Sequence, residues 1–139
     1  MTNQTNHINH TNHINHINKT AIITGASRGI GAAIAKKLAS CGYNLSLCCR
    51  NSSDRLKALA DELHCAYGIE VLCYTGNVGD FFFAKDMVTK TISHFGHIDV
   101  LINNAGISHI GLLSDMTPDE WNNIVAINLS GATSEPPAR

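Results

Sequence analysis

From Lys19 onward, short apolar runs alternate with longer stretches of mixed polarity. The runs have the length of strands and are rich in Ile, Val, Leu and Cys, a pattern typical of strands that are buried on both faces. They predict four strands, at Thr20–Thr24, Tyr43–Cys49, Ile69–Thr75 and Ile98–Asn103.

The stretches between these runs carry apolar residues three and four positions apart, which predicts helices with one buried face. The stripes are Ile30, Ile34 and Leu38 in the first helix, Leu56, Leu59, Ala60, Leu63 and Tyr67 in the second, and residues of Phe83–Phe95 in the third. Gly42, Gly68 and Gly96 follow these helices, where a left-handed residue commonly ends a helix.

A fourth helix is predicted to begin at Thr117-Pro118-Asp119-Glu120 and to run towards Leu129. Thr and Glu three residues apart form a capping box, and proline suits the first helical position. Trp121, Met116 and Phe81–Phe83 fall at helix starts or on apolar stripes, so we expect them to be packing residues.

This alternation predicts an α/β fold, a Rossmann-type parallel sheet with helices on both faces. With about four strands and four helices, the sheet is expected to be incomplete. We divide the chain into a low-complexity tail (1–18), a partial Rossmann domain (19–131) and an atypical C-terminal tail (132–139).

Composition narrows the possible partners of the chain. Of its 139 residues, 44% are hydrophobic and 15% are charged, and the formal net charge is −1, so no basic surface for nucleic acid or for an anionic membrane is expected. No apolar run approaches the roughly 20 residues of a bilayer span, and the first 18 residues have no apolar stretch of the kind expected in a signal peptide. The five cysteines have no Cys-x-x-Cys spacing, which favours a cytoplasmic protein with no cysteine metal site.

The N-terminal tail places His7, His10, His13 and His16 three residues apart. One interpretation is a metal-binding histidine tract, and the other is a disordered tail from a slipped repeat. Spacing by three suits neither one face of a helix nor a defined tetrahedral site, which favours the second interpretation; we predict no metal ligand.

A glycine-rich segment, Thr24-Gly25-Ala26-Ser27-Arg28-Gly29-Ile30-Gly31, joins the first strand to the first helix. In that context a glycine turn brings backbone N–H groups and a helix N-terminus to a pyrophosphate. Gly25 would make the tight turn, Gly29 would admit the phosphates, and Gly31 would let the helix pack on the strand. A plain structural turn is the alternative, because glycine serves both.

A second segment, Asn103-Asn104-Ala105-Gly106, directly follows the fourth predicted strand. Together with the Thr-Gly-x-x-x-Gly-x-Gly spacing it resembles the short-chain dehydrogenase/reductase family, over roughly Lys19 to Gly131. The resemblance implies that the cofactor lies against both segments. The implied contacts are Gly25, Ser27, Arg28, Gly29, Ile30 and Gly31, then Asn104, Ala105 and Gly106.

Charge indicates which dinucleotide is bound. Arg50 directly follows the second predicted strand, at a place where an acidic residue would favour NAD and an arginine suits the 2′-phosphate of NADP. Arg28 adds a second cation within the glycine loop, and guanidinium groups bind phosphate in a bidentate manner. We therefore predict NADP(H); solvated surface arginines are the alternative.

The resemblance assigns roles to three more residues. Asn77-Val78 matches the family's Asp-Val beside the adenine, with Asn in place of Asp. Asn128 matches the helix asparagine that helps to hold a water of the catalytic proton relay, and it is our catalytic candidate. A solvated helix asparagine is the alternative.

The family's catalytic tyrosine and the lysine four residues after it have no match. Leu47, Val71 and Val78 stand four residues after the three tyrosines. The ending Ala-Thr-Ser-Glu-Pro-Pro-Ala-Arg breaks the expected helix, so we expect an enzyme cut short before its catalytic Ser and Tyr-x-x-x-Lys, inactive by itself.

Within the family, the segment from Leu101 to Gly131 looks most like the 3-oxoacyl-acyl-carrier-protein reductases. This implies a small-molecule or carrier-bound keto substrate, fatty-acid synthesis, and a homo-oligomer for the full-length form only. The alternative is a non-catalytic nucleotide-binding fragment or an inactive product.

Overall fold

The computed structural model describes residues 18–132, so the predictions for the N-terminal histidine tract and for the last seven residues lie outside the described part. Four strands alternate with four helices along this part of the chain. The strands are β1 (Thr20–Thr24), β2 (Asn44–Cys49), β3 (Val71–Thr75) and β4 (Val100–Ile102), and the helices are α1 (Gly29–Ser40), α2 (Ser53–Tyr67), α3 (Phe81–Phe95) and α4 (Pro118–Asn128). Single 3₁₀ turns lie at Leu113–Asp115 and Ser130–Ala132.

The strands form one parallel sheet in the order β3-β2-β1-β4. This confirms the predicted Rossmann-type α/β fold. The connections from β1 and β2 run towards one edge of the sheet, whereas the connection from β3 returns past β1 to β4. Ligands of open α/β sheets bind outside the carboxyl ends of the strands at such a switch point.

Side chains of alternate strand residues pack into two separate hydrophobic cores, one on each face of the sheet. Ala21, Ile23, Leu45 and Leu47 pack with α1 and α2 on one face. On the other face, Ile22 and Cys48 pack with Met87 of α3 and Ile127 of α4. Because β1 lies between two strands and below helices on both faces, all five of its residues are buried.

Several element boundaries differ from the predictions, and side-chain hydrogen bonds lie at two of them. The Asp80 carboxylate accepts the backbone N–H groups of Phe82 and Phe83, so α3 begins at Phe81 and not at Phe83. β3 begins two residues later than predicted, at Val71, and the Asn44 side chain accepts the N–H of the preceding Glu70 at 2.9 Å. The predicted capping box of α4 is present, and Gly68 and Gly96 are left-handed at the ends of α2 and α3.

The β4 side of the sheet is thinly covered within the described residues. Within these residues β4 pairs only with β1, and Leu101 of β4 is 51% exposed. Helix α4 buries a single residue, Ile127. Trp121 and Phe82 are 55% and 79% exposed, so the expectation that they are packing residues is wrong for both. In the part of the chain that the structure describes, no helix combines the length and the apolar character needed to cross a bilayer.

Candidate functional site

A cleft of about 750 Å³ lies at the carboxyl ends of the four strands. Most of the residues predicted to hold a cofactor line it: Gly25, Ser27, Arg28, Gly29, Ile30, Arg50, Asn77, Val78, Asn104, Ala105 and Gly106. The remaining lining residues carried no predicted role: Cys48, Cys49, Asn51, Ser52, Gly76, Ile107 and Ile127. Asn51 and Ser52 directly follow Arg50, so their position after β2 was the signal that could have found them.

Two glycines with positive φ, Gly25 and Gly29, determine the backbone path of the glycine loop. Gly25 has φ 67° and Gly29 has φ 57°, a region that side chains other than glycine rarely adopt. Gly25 also needs space, because a Cβ there would lie 2.9 Å from the Cα of Ala105. At Gly29 a Cβ would meet nothing within 4 Å, so this glycine leaves its side open.

Gly31 is buried behind the loop and does not line the cleft. A Cβ at Gly31 would collide with the Gly25 carbonyl oxygen and would lie 2.6 Å from Asn104 Nδ2. Gly31 therefore allows α1 to start directly beneath the loop, and the structure places it as a packing residue.

Thr24 and Asn104 join the end of β1 to the segment after β4. The Thr24 hydroxyl accepts the backbone N–H groups of Asn104 at 3.0 Å and of Ala105 at 2.9 Å. In return, Asn104 Nδ2 donates to the carbonyl oxygens of Thr24 and Gly25, at 3.0 and 3.1 Å. These bonds fix both predicted cofactor segments as one unit. Sequence reasoning gave Thr24 no role of its own.

The electrostatics of the cleft favour an anion. None of its lining residues is acidic, whereas Arg28 and Arg50 both line it and are exposed. The first turn of α1 holds no acidic residue, and its N-cap, Arg28, makes no capping side-chain bond. The N-terminal N–H groups of α1 and its positive dipole end are therefore available to an anionic group.

Cys48, at the floor of the cleft, is not a reactive nucleophile. Burial raises the pKa of its thiol to about 11, although a hydrogen bond with the backbone of Gly25 acts in the opposite direction. Since the thiolate is the nucleophilic form, this thiol stays inert near neutral pH.

The two predicted asparagines bind backbone groups of the chain. Asn77 lines the cleft, and its Oδ1 accepts the N–H of Gly79 at 3.0 Å. Asn128, the catalytic candidate, does not line the cleft but holds a residue that does. Its Oδ1 accepts the Ile107 N–H at 2.8 Å, and its Nδ2 donates to the Ile107 carbonyl at 2.7 Å.

A second cavity, of about 290 Å³, lies between α2, β3 and α3 and is lined partly by His64, Glu70 and His94. The His94 ring pairs with the Glu70 carboxylate at 2.7 Å, and His64 Nδ1 is bonded to the Ile69 carbonyl. Within residues 18–132, no group of three or more His, Cys, Asp or Glu residues is arranged to hold a metal ion.

The family profile described as short chain dehydrogenase matches residues 19–134, which is most of the chain. The chain belongs to the short-chain dehydrogenase family. Both segments that carried the resemblance, the glycine loop and Asn103–Gly106, lie within the match.

Named members of the short-chain dehydrogenase family are similar to it in sequence and in structure. The 3-oxoacyl-acyl-carrier-protein reductase of Staphylococcus epidermidis is 42% identical over 113 residues, 81% of this chain and 46% of that protein. An alcohol dehydrogenase of Thermococcus sibiricus, complexed with 5-hydroxy-NADP, superposes with a TM-score of 0.76 at 39% identity, over 81% of this chain and 48% of that one. L-sorbose reductase of Gluconobacter frateurii, complexed with NADPH and L-sorbose, gives a TM-score of 0.78 at 32% identity, over 83% and 43% of the two chains. The chain thus spans about half the length of these short-chain dehydrogenases.

Proposed function

We propose that the chain binds NADP(H) in the cleft at the carboxyl ends of its strands. The observation that carries this proposal is the convergence of three separate segments on one cleft free of carboxylates. These segments are the glycine loop, Asn104–Gly106 and Arg50. The NADP- and NADPH-bound relatives of similar fold support it.

Each part of the cofactor has residues that fit it. The open side of Gly29 and the uncapped start of α1 fit the pyrophosphate. Arg50 fits the 2′-phosphate, and Arg28 would add a second cation. Asn77 and Val78 fit the adenine end, which leaves Gly106 and Ile107 for the nicotinamide end.

When bound, the cofactor supplies or accepts a hydride at its nicotinamide ring. The chain's own residues bind and orient it. Asn128 fixes both backbone polar groups of Ile107, so its contribution in this structure is to position that part of the cleft wall. A role for Asn128 in holding a relay water remains a prediction from the resemblance.

The substrate proposal rests on the relative from Staphylococcus epidermidis. We propose that the complete protein is an NADPH-dependent reductase of the 3-oxoacyl-acyl-carrier-protein type, acting in the cytoplasm. It would take a small or carrier-bound keto substrate and would assemble with copies of itself. The cofactor would supply the hydride. The residues that recognise the keto group and its carrier would lie outside the segments that line this cleft.

The second candidate is a nucleotide-binding chain with no turnover of its own. It is favoured by the three tyrosines, none of which has a lysine four residues later. Two assays on the purified 139-residue chain test its cofactor binding and its proposed lack of turnover. NADPH should bind with its fluorescence enhanced and be displaced by 2′,5′-ADP, and acetoacetyl thioester should cause no NADPH oxidation. Failure to bind would contradict the cofactor proposal, and turnover above the blank would contradict the proposed inactivity.

A further inference from the structure

The last turn of α4 packs against two loops that line the cleft. Ile127 lies within the cleft lining and in the same core cluster as Val78, Ala105 and Ile107. Val78 belongs to the loop between β3 and α3, and Ile107 to the loop between β4 and α4. The segment Ala126–Gly131 therefore contacts two loops that both line the cleft.

Two glycines, Gly79 and Gly131, allow this close packing. A Cβ at Gly79 would lie 3.0 Å from the carbonyl oxygen of Ala126. A Cβ at Gly131 would lie 3.1 Å from the carbonyl oxygen of Val78 and 3.2 Å from its Cγ2. Backbone therefore meets backbone at both contacts, and neither side can yield by turning a flexible side chain.

Asn128, the last residue of α4, bonds to the loop between β4 and α4. Its two hydrogen bonds to Ile107, of 2.8 and 2.7 Å, occupy both backbone polar groups of that residue, so the position of Asn128 sets the position of the Ile107 backbone. A Cβ at Gly106 would lie 3.3 Å from Asn128 Oδ1, so the second loop also approaches closely.

Most of α4 lies at the surface. Of its 11 residues only Ile127 is buried, and an isolated helix of this length is marginal in water. The core packing of Ile127 and the contacts of Ala126–Gly131 with the loop that carries Val78 together set the position of Asn128.

We propose that Gly79 and Gly131 are positioning residues that couple the two ends of the cleft through the last turn of α4. The inference rests on the proposed function in so far as it assigns the adenine to one end and the nicotinamide to the other. Ordering of Asn77–Val78 by the adenine would hold α4 in place, and α4 would hold Ile107 through Asn128.

The first test needs no ligand: amide hydrogen exchange of Ile107 in the full 139-residue chain. Gly131→Ala should speed exchange of the Ile107 amide by about fivefold beyond any global change, which is the effect of a typical coupling between packed sites. Gly79→Ala should act in the same direction. The matched control is Gly68→Ala, which strains the left-handed end of α2 far from the cleft and should change Ile107 only as much as the whole chain. Unchanged relative protection at Ile107 in Gly131→Ala would overturn the inference.

The second test compares NADPH with 2′,5′-ADP, which lacks the nicotinamide end. Gly131→Ala and Asn128→Ala should lower the ratio of NADPH affinity to 2′,5′-ADP affinity. The double variant should lose less than the product of the two single losses, because both act through Ile107. Independent, multiplicative losses would overturn the coupling. Absence of binding by the wild-type chain would contradict the proposed function, and the exchange test would still decide the positioning role.

Discussion

Thr24 and Asn104, 80 positions apart in the sequence, bind each other in both directions. The Thr24 hydroxyl accepts the Asn104 backbone N–H at 3.0 Å, and the Asn104 side chain donates to the Thr24 carbonyl at 3.0 Å. The same hydroxyl donates to the Ile102 carbonyl at 3.4 Å. This pair therefore locks the end of β1 to the end of β4 and fixes the floor of the cleft between them.

Replacing Thr24 by Val keeps the shape of this side chain and removes its hydroxyl. The N–H groups of Asn104 and Ala105 would then lose their acceptor in a part-buried position, so we expect the free energy of unfolding to fall by about 1–3 kcal/mol. Thr24→Ser should recover most of the loss. Thr75→Val, at the exposed end of β3, is the matched control and should change little. Equal denaturation midpoints for the Thr24 and Thr75 variants would contradict the assigned role.

Gly31→Ala should destabilise the chain by about 1–3 kcal/mol through overpacking, since the new methyl group would meet backbone and the Asn104 amide. Gly42, whose Cβ would meet open space, is the comparison: Gly42→Ala should cost only the strain of its positive φ, about 1 kcal/mol. Thermal melts of both variants measure this difference. A smaller loss for Gly31 than for Gly42 would argue against its packing role.

Arg50→Asp should weaken NADPH binding by about tenfold or more while changing NADH binding little, because charge-assisted bonds to the 2′-phosphate would be lost. Arg55 is a suitable control, since it is exposed on α2 and does not line the cleft. Titration of both cofactors into Arg50→Asp and Arg55→Asp gives the comparison. Equal losses for NADPH and NADH would remove Arg50 from the proposed 2′-phosphate site.

The raised pKa of Cys48 predicts a loss of stability at alkaline pH. Burial raises this pKa from 9.0 to about 11, so between these values the unfolded thiol loses its proton while the folded one keeps it. The free energy of unfolding should fall over this range by up to about 2–3 kcal/mol from this residue. Cys48→Ala should have a shallower decline from pH 9 to 11, measured by urea unfolding, whereas Cys41→Ala, at an exposed cysteine, should keep the wild-type slope. Parallel slopes in all three proteins would count against the buried, neutral thiol.

The parallel sheet and most of its helices and strands were predicted from residues whose effects are local. Apolar runs such as Thr20–Thr24 predicted buried strands, and Thr117 with Glu120 predicted the start of α4. The start of α3 was predicted two residues too late, at Phe83. The Asp80 carboxylate caps this helix, and Asp is a common N-cap residue that the sequence could have indicated.

Contacts between distant segments were harder to predict. The sequence suggested that the glycine loop and Asn103–Gly106 belong to one site, but it did not show that the Thr24 hydroxyl joins them. Likewise Asn128 was singled out by resemblance alone, while its partner, the Ile107 backbone, carries no sequence signal. The position of Trp121 in the sequence also did not predict its 55% exposure, because the apolar spacing of α4 does not show which of its residues pack against the rest of the fold.

The central claim is that the cleft at the carboxyl ends of the strands binds NADP(H), and mapping the amide resonances of the isotope-labelled chain during NADPH titration tests it most directly. We predict saturable shifts at Ser27, Gly29, Ile30 and Ile107, with no shifts around the second cavity at His64 and His94. A folded chain whose spectrum does not change, or whose shifts centre on the second cavity, would contradict the account.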